Sequence, residues 1–179
     1  MKIGLPRALL YYYYYPFWKT LFEELNCEIV VSDETNARII AEGSKVTVQE
    51  ICVPIKIFNG HILNLLEKNV DYIFVPQFIS MGMEWYCPKF IGITELSKYS
   101  IDSLKEKILT IEITSDDDIL NNISNYLPLC EVLHVTKKQL KAALTKSEKS
   151  FKAFRRLCSS GYSALEAFDI LSGKKADTK

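Results

Sequence analysis

The sequence has few of the residues that mark disordered, fibrous or repetitive chains. It contains 7 Gly and 6 Pro among 179 residues, while hydrophobic residues make up 48% and charged residues 25%. This composition is typical of a compact chain with a real core, and the length suits one ordinary domain. We therefore predict a single domain over residues 1–172, followed by a frayed tail over 173–179.

Net charge and long apolar runs are also missing. Lys and Arg total 22, as do Asp and Glu, so the formal charge is zero and the chain has no general attraction to nucleic acid or anionic lipid. No apolar run approaches the roughly 20 residues of a membrane span, and Lys2 is not followed by a signal-peptide core. We expect a cytoplasmic protein that binds neither nucleic acid nor membrane.

The cysteines are odd in number and widely spaced, unlike the disulfide framework of a small secreted domain. Three of them, Cys27, Cys130 and Cys158, lie among apolar residues and are predicted to pack in the core. Cys52 and Cys87 differ, because a proline follows each within two residues and each lies at a predicted element boundary.

Short apolar segments alternate with segments of helical periodicity along the chain. The predicted strands are Lys2–Leu5, Glu28–Val31, Asp71–Pro76 and Ile108–Ile113, with a short extended stretch at Val46–Val48. The predicted helices are Ala8–Leu25, Thr35–Glu42, Pro54–Lys68, Thr136–Gly161 and Tyr162–Leu171. This alternation favours a doubly wound α/β fold, with a mostly parallel sheet, helices on both faces and a long C-terminal helix.

Several local signals refine this prediction. Pro16 predicts either a kink in the first helix or a helix that starts there, and Gly43 predicts the end of the second helix in the left-handed conformation. The segment Gln77–Tyr86 is expected to be a loop. Ser115 and the three aspartates that follow it suit the start of a helix.

In an open α/β sheet, ligands bind outside the carboxyl ends of the strands, where loops lead into helices. Cys52 and Cys87 are both expected at helix starts on that edge, where the helix dipole favours the thiolate that binds metal or attacks electrophiles. They are 35 residues apart, so no short motif pairs them. Their spacing alone leaves open a shared metal site or two structural thiols.

Three other side chains could serve such a site. Arg7 follows a strand-ending proline and could contact a phosphate group or CoA, or simply be a surface arginine. Glu50 could accept a proton near Cys52 or be a solvated loop carboxylate. His61 fits a hydrogen-bonded structural histidine, with tuning of a metal site from nearby as the alternative.

The five tyrosines at positions 11–15 cover every face of one helical turn, so some must be buried and others exposed or in an interface. A glycine-rich phosphate loop of either the dinucleotide or the P-loop type is missing. Nucleotide hydrolysis is therefore assigned to a partner.

Nine segments together resemble one protein family, densely over residues 3–92. They are Ile3–Leu9, Trp18–Lys19, Phe22–Leu25, Val31–Ser32, Glu34–Asn36, Glu50–Lys56, Gly60–His61, Val70–Pro76 and Tyr86–Pro88. These segments look like the N-terminal, Rossmann-like domain of proteins related to 2-hydroxyacyl-CoA dehydratases, and most of all the activase-related or double-cubane-cluster reductases.

The resemblance implies an oxygen-sensitive iron-sulfur protein of anaerobic metabolism, with a 4Fe-4S or double-cubane cluster. Cys52 and Cys87 fall where the family's first two cluster ligands lie, and a third ligand in that family comes from a second domain. For this chain alone, the missing thiolates would come from a partner, an outside ligand, or Cys130 or Cys158. An ATP-hydrolysing activator would inject electrons for low-potential reduction or dehydration of a small or CoA-linked substrate. Two alternatives stay open. One is a non-enzymatic α/β module that has lost the cluster-completing domain and binds partners through its tyrosine-rich surface, and the other is a thiol enzyme that uses Cys52 or Cys87 as nucleophile. A homo- or hetero-oligomer is among the expected partner arrangements.

Overall fold

The computed structural model describes residues 1–115, 120 and 122–174. The strands are β1 (Lys2–Leu5), β2 (Glu28–Val31), β3 (Tyr72–Phe74), β4 (Gln77–Met81), β5 (Glu84–Trp85), β6 (Ile108–Leu109) and β7 (Glu112–Ser115). The helices are α1 (Tyr11–Glu24), α2 (Ala37–Val46), α3 (Val53–Glu67), α4 (Pro88–Ile91), α5 (Ile93–Ser100), α6 (Pro128–Val132), α7 (Lys137–Ser159) and α8 (Ala164–Leu171).

Four strands form a parallel sheet in the order β2-β1-β3-β6. Ile3 pairs with Ile29 on one side and with Tyr72 on the other, so β1 lies in the middle. One face packs against α1 and α7, and the other against α3 and α5, in two separate apolar clusters. The predicted α/β fold with helices on both faces is confirmed.

A second sheet of three strands, in the order β5-β4-β7, continues beyond the first. The backbone N–H of Val75 donates to Leu109 O at 2.8 Å and that of Gln77 to Ile111 O at 2.9 Å, so hydrogen bonding bridges the two sheets. Pro76 has no N–H to give, which interrupts the strand at that residue. The predicted loop at Gln77–Tyr86 is therefore wrong, because the segment is a hairpin that turns at Gly82, where φ is 61°.

The predicted strand Ile108–Ile113 is also two strands, β6 and β7, which pair with β3 and β4 in turn. The start of α1 differs as well. Residues 8–10 precede the helix, and Leu9 among them has a positive φ of 55°. The helix begins at Tyr11 and continues through Pro16, so it does not start at the proline. The Pro16 carbonyl accepts a hydrogen bond from Thr20 Oγ1 at 2.9 Å.

Gly43 lies inside α2 and does not end it, and the helix continues to Val46. In the predicted extended stretch Val46–Val48, Val46 is therefore helical and Thr47 is extended. Glycine is required at position 43 because the backbone of the neighbouring helix, α3, lies against it. A Cβ on Gly43 would lie 1.9 Å from Lys56 O, and a Cβ on Gly60 would lie 2.0 Å from Ile39 O. The two glycines let the backbones of α2 and α3 touch.

The long C-terminal helix is confirmed as α7, which begins with a capping box between Thr136 and Gln139. It packs on α1 through Phe151, whose ring centre lies 5.3 Å from that of Tyr14. The helix start predicted at the aspartates after Ser115, and the part of the tail from residue 175 on, lie outside the described residues. Among the helices that the structure describes, none combines the length and apolar character needed to cross a membrane.

Candidate thiol site at the carboxyl edge of the sheet

Cys52 and Cys87 are the two exposed cysteines of the chain, whereas Cys27 is buried and Cys130 and Cys158 are partly buried against the core. Each of the two exposed cysteines is the residue that precedes a helix, Cys52 before α3 and Cys87 before α4. A proline in the first turn of each helix explains why the helix begins there. Neither thiol makes a capping hydrogen bond, so both are available to a ligand.

The topology brings both helix starts to one edge of the sheet. Helix α3 runs back to the beginning of β3, so its first turn lies beside the carboxyl ends of the parallel strands. The Tyr86 N–H donates to Ile79 O at 3.1 Å, which holds Cys87 next to β4, beyond the end of β3. Phe58 of α3 and Phe90 of α4 line the same apolar cavity. Sequence reasoning predicted the two helix starts from the prolines, and their common edge from the order of strands and helices.

Apolar side chains around the two thiols are left open to solvent. Met83 is 99% exposed and Trp85 75% exposed on the β4–β5 hairpin that leads to Cys87. Val48 and Val53, on either side of Cys52, are more than half exposed. In the segment from Phe78 to Trp85, only Phe78 is buried, so this segment does not by itself cover the two thiols.

The two thiols are half of the set that a 4Fe-4S cluster requires, since such clusters are held by four cysteines. Within the described ranges, three or more His, Cys, Asp or Glu side chains are nowhere grouped as a metal site would need. The donor chemistry of Cys52 and Cys87 therefore fits two of the four ligand positions of such a cluster.

Arg7 lies at the same edge, immediately after β1. Its backbone N–H donates to Ser32 Oγ at 2.7 Å, and its Nη1 is 3.2 Å from the Glu34 carboxylate. Its guanidinium carbon lies 6.0 Å from the ring centre of Tyr11. Its Nε is buried and has no hydrogen-bond partner in the part of the chain that the structure describes.

His61 is fully buried and holds the loop after β2. Its Nδ1 is 2.8 Å from Ser32 Oγ and its Nε2 is 2.9 Å from Thr35 Oγ1. Burial, with the nearby Arg7 charge second, lowers the pKa of His61 to about 4, so the imidazole is neutral near pH 7. It lies nine residues beyond Cys52, about 13 Å along the helix. A role for His61 beside a metal stays a prediction, as does proton transfer by Glu50, an exposed residue in the turn before Cys52.

Sequence reasoning missed two residues near His61, namely Asn64 on α3 and Lys68, the residue that follows the helix. Asn64 accepts from the Asp33 N–H at 2.9 Å, and Lys68 pairs with the Asp33 carboxylate at 2.7 Å. The signal was present, because positions 61, 64 and 68 share one face of the helix. The tyrosine run divides as expected, with Tyr11 and Tyr14 buried and Tyr12 and Tyr13 exposed.

A family model described as the CoA enzyme activase uncharacterised domain, DUF2229, matches residues 2–177. The chain belongs to this family. The comparisons with curated proteins and with solved structures gave no match. The description places this CoA enzyme activase domain among activase-related proteins of the 2-hydroxyacyl-CoA dehydratase activator type and suggests that it works with a partner.

Proposed function

We propose that this CoA enzyme activase domain gives two thiolates, Cys52 and Cys87, to an iron-sulfur cluster whose remaining ligands come from a second domain or a partner chain. The cluster supplies low-potential electron transfer toward a small or CoA-linked substrate. The observation that carries the proposal is that two exposed cysteines, each without a capping bond, begin helices on the same edge of the sheet.

The location supports a shared cluster rather than two structural thiols. Structural cysteines are usually buried, as Cys27 is, and the exposure of Cys52 and Cys87 has no packing purpose. The dipole of α3 favours negative charge at Cys52, which suits a thiolate ligand. Each ligand is fixed by a different helix, so the fold itself sets their separation.

The exposed apolar residues support a second protein surface over the site. Met83 and Trp85 are too exposed to shield a cluster on their own, yet a docked domain would bury them together with the thiols. Exclusion of water by such a surface, and hydrogen bonds to the sulfur atoms, are what set the potential of a cluster. Hydrolysis of ATP is assigned to the activator partner, because the sequence lacks a phosphate loop.

Single alanine variants test the ligand assignment. The full chain is reconstituted anaerobically with iron and sulfide, with dithiothreitol present as a source of further thiolates, and its visible absorption is recorded. Cys52→Ala and Cys87→Ala should each abolish the absorption, while the matched variants Cys130→Ala and Cys158→Ala should keep it. Both altered side chains are exposed, so the far-UV circular dichroism should not change.

Absorption that survives both Cys52→Ala and Cys87→Ala would show that the assignment is wrong. A second candidate function, a partner-binding module without a cluster, is favoured by the exposure of Met83 and Trp85. Iron and acid-labile sulfide analysis separates the two. If both are absent even after reconstitution with a partner domain, the binding module is the better account.

A further inference from the structure

We propose that the apolar cavity at the carboxyl ends of β1 and β3 binds a short hydrocarbon group of about two or three carbons, carried by a small neutral ligand whose polar part stays at the mouth. This site is separate from the two thiols, and the proposal does not depend on the cluster. It rests on the lining of the cavity, on its opening at the edge of the sheet and on its place between the two apolar clusters.

The walls of the cavity are apolar and buried. They are formed mainly by Leu5, Trp18, Phe58, Phe74, Phe78 and Ile93. Among the described residues that line the cavity, none carries a charge. An ionised or strongly polar group placed inside would lose its hydrogen bonds to water without gaining others, which is costly. The lining therefore favours a hydrocarbon group.

The volume of the cavity limits the length of that group. The cavity measures about 50 Å³. A cavity of roughly 150 Å³ holds benzene with its six carbons, so in proportion this one has room for about two or three carbons. Apolar cavities of this kind stay dry, so a hydrocarbon enters without displacing bound water.

The cavity opens at the carboxyl edge of the sheet. The half-buried residues of its lining are Ala8, Leu9 and Leu10 before α1, Pro76 after β3, and Phe90 of α4. Because these residues keep contact with solvent, they form the mouth through which a ligand enters. The N–H of Phe90 donates to Cys87 O at 2.8 Å, so the mouth lies one helical turn from the backbone of Cys87.

The position is also that of a ligand site in an open α/β sheet. Strand β1 lies between β2 and β3, so the chain leaves β1 toward one side and later returns to the other. Ligands bind outside the carboxyl ends of strands at such a point. Trp18 of α1 and Phe58 of α3 line the cavity from opposite faces of the sheet, so it lies in the gap between the two apolar clusters.

The segment that forms one side of the mouth is strained. Leu9 has a positive φ of 55°, a conformation that a bulky residue rarely adopts. Such strain costs free energy and clusters at ligand-binding sites. Here it occurs in three consecutive residues, 8–10, that all line the cavity.

The test is an NMR titration of the metal-free full chain with two probes of the same carbon skeleton, propan-1-ol and glycerol. Propan-1-ol should shift the resonances of Ala8 and Phe90 with saturation, at a dissociation constant of about 1 mM or more. Glycerol has a hydroxyl group on every carbon, so it should cause no saturable shift. No saturable shift with propan-1-ol, or equal binding of glycerol, would overturn the proposal. The protein carries no metal in this experiment, so the result does not depend on the ligand assignment of the thiols.

Two variants and a matched control assign the site. Ala8→Leu fills part of the cavity and should weaken propan-1-ol binding at least about tenfold, while Ala37→Leu, the same change at an exposed position of α2, should leave it unchanged. Unchanged affinity in Ala8→Leu would overturn the proposal. If that variant fails to fold, Ile93→Val decides. It removes a methyl group from a buried wall and should tighten the binding of butan-1-ol about twofold to fourfold, whereas unchanged binding refutes the site.

Discussion

His61 is a buried imidazole whose two ring nitrogens both serve the loop after β2. The Ser32 hydroxyl is hydrogen-bonded to one ring nitrogen and the Thr35 hydroxyl to the other. Ser32 also accepts the backbone N–H of Arg7, so the same hydroxyl joins the ends of β1 and β2 through α3. Because burial disfavours the charged imidazolium, this arrangement depends on a neutral ring.

The lowered pKa of His61 predicts a pH dependence of stability. Its pKa in the folded protein is about 4, against an ordinary value of 6.5. As the pH falls from about 6.5 to about 4, the unfolded chain takes up a proton that the folded chain does not hold, so the free energy of unfolding falls. Below about pH 4 both states hold the proton and the loss stops. Urea unfolding at several pH values should show an added slope of up to about 1.4 kcal/mol per pH unit in this window.

The His61→Gln variant isolates this contribution from that of the carboxylates. It cannot take up the proton, so its unfolding free energy should depend less steeply on pH between 4 and 6.5 than that of the unaltered chain. Identical slopes in the two proteins would contradict the assignment.

Single residues differ in how much the sequence reveals about them. The position of Cys52 and Cys87 at helix starts is a local property, since proline fixes the first turn, and it was predictable. The contacts of Arg7 and His61 were not, because Glu34, Ser32 and Thr35 come to them from loops whose paths depend on the folded sheet.

Helices α2 and α3 meet at two glycines, and this contact predicts a large effect of a single methyl group. Gly43→Ala or Gly60→Ala would place a Cβ about 2 Å from a backbone carbonyl oxygen of the other helix. Backbone cannot give way as a flexible side chain can, so the helices must separate. We expect each variant to lose about 3 kcal/mol or more of unfolding free energy, at the upper end of the range for overpacking. Urea denaturation measures the change.

Gly92→Ala is the matched control. The nearest atom to its added Cβ is 3.5 Å away, an ordinary contact, and its φ is −97°. This variant should retain nearly the full stability. A mild effect at Gly43 and Gly60, similar to that at Gly92, would refute the close contact between the helices.

Element boundaries were predictable only where local chemistry decides them. The capping residues Thr136 and Ser163 stand directly before α7 and α8, as in the capping-box pattern. Gly43 misled the prediction, because a glycine that ends a helix and a glycine that admits a neighbouring helix look alike in one sequence. The hairpin of β4 and β5 was missed because β5 has only two residues, too few to show the pattern of a strand.

The fold class was predictable because alternating strands and helices leave few arrangements other than a parallel sheet covered on both faces. The two apolar clusters on opposite faces of the sheet realise that pattern. In the proposed function the remaining cluster ligands lie on another protein surface, and a ligand set divided in this way leaves no pattern in one sequence. Along this edge of the sheet the protein has two helix starts with exposed cysteines, an apolar cavity, and the exposed side chains of Met83 and Trp85.

Protection of the thiols from alkylation tests the role of this edge most directly. The full chain is treated anaerobically with iodoacetamide before and after assembly of a cluster from iron and sulfide, and the label at each cysteine is measured by mass spectrometry. Cys52 and Cys87 are exposed, so both should be labelled in the metal-free protein and protected once iron and sulfide are bound, while labelling of Cys130 and Cys158 should not change. Bound iron and sulfide with Cys52 and Cys87 still labelled at their original rates would contradict the account.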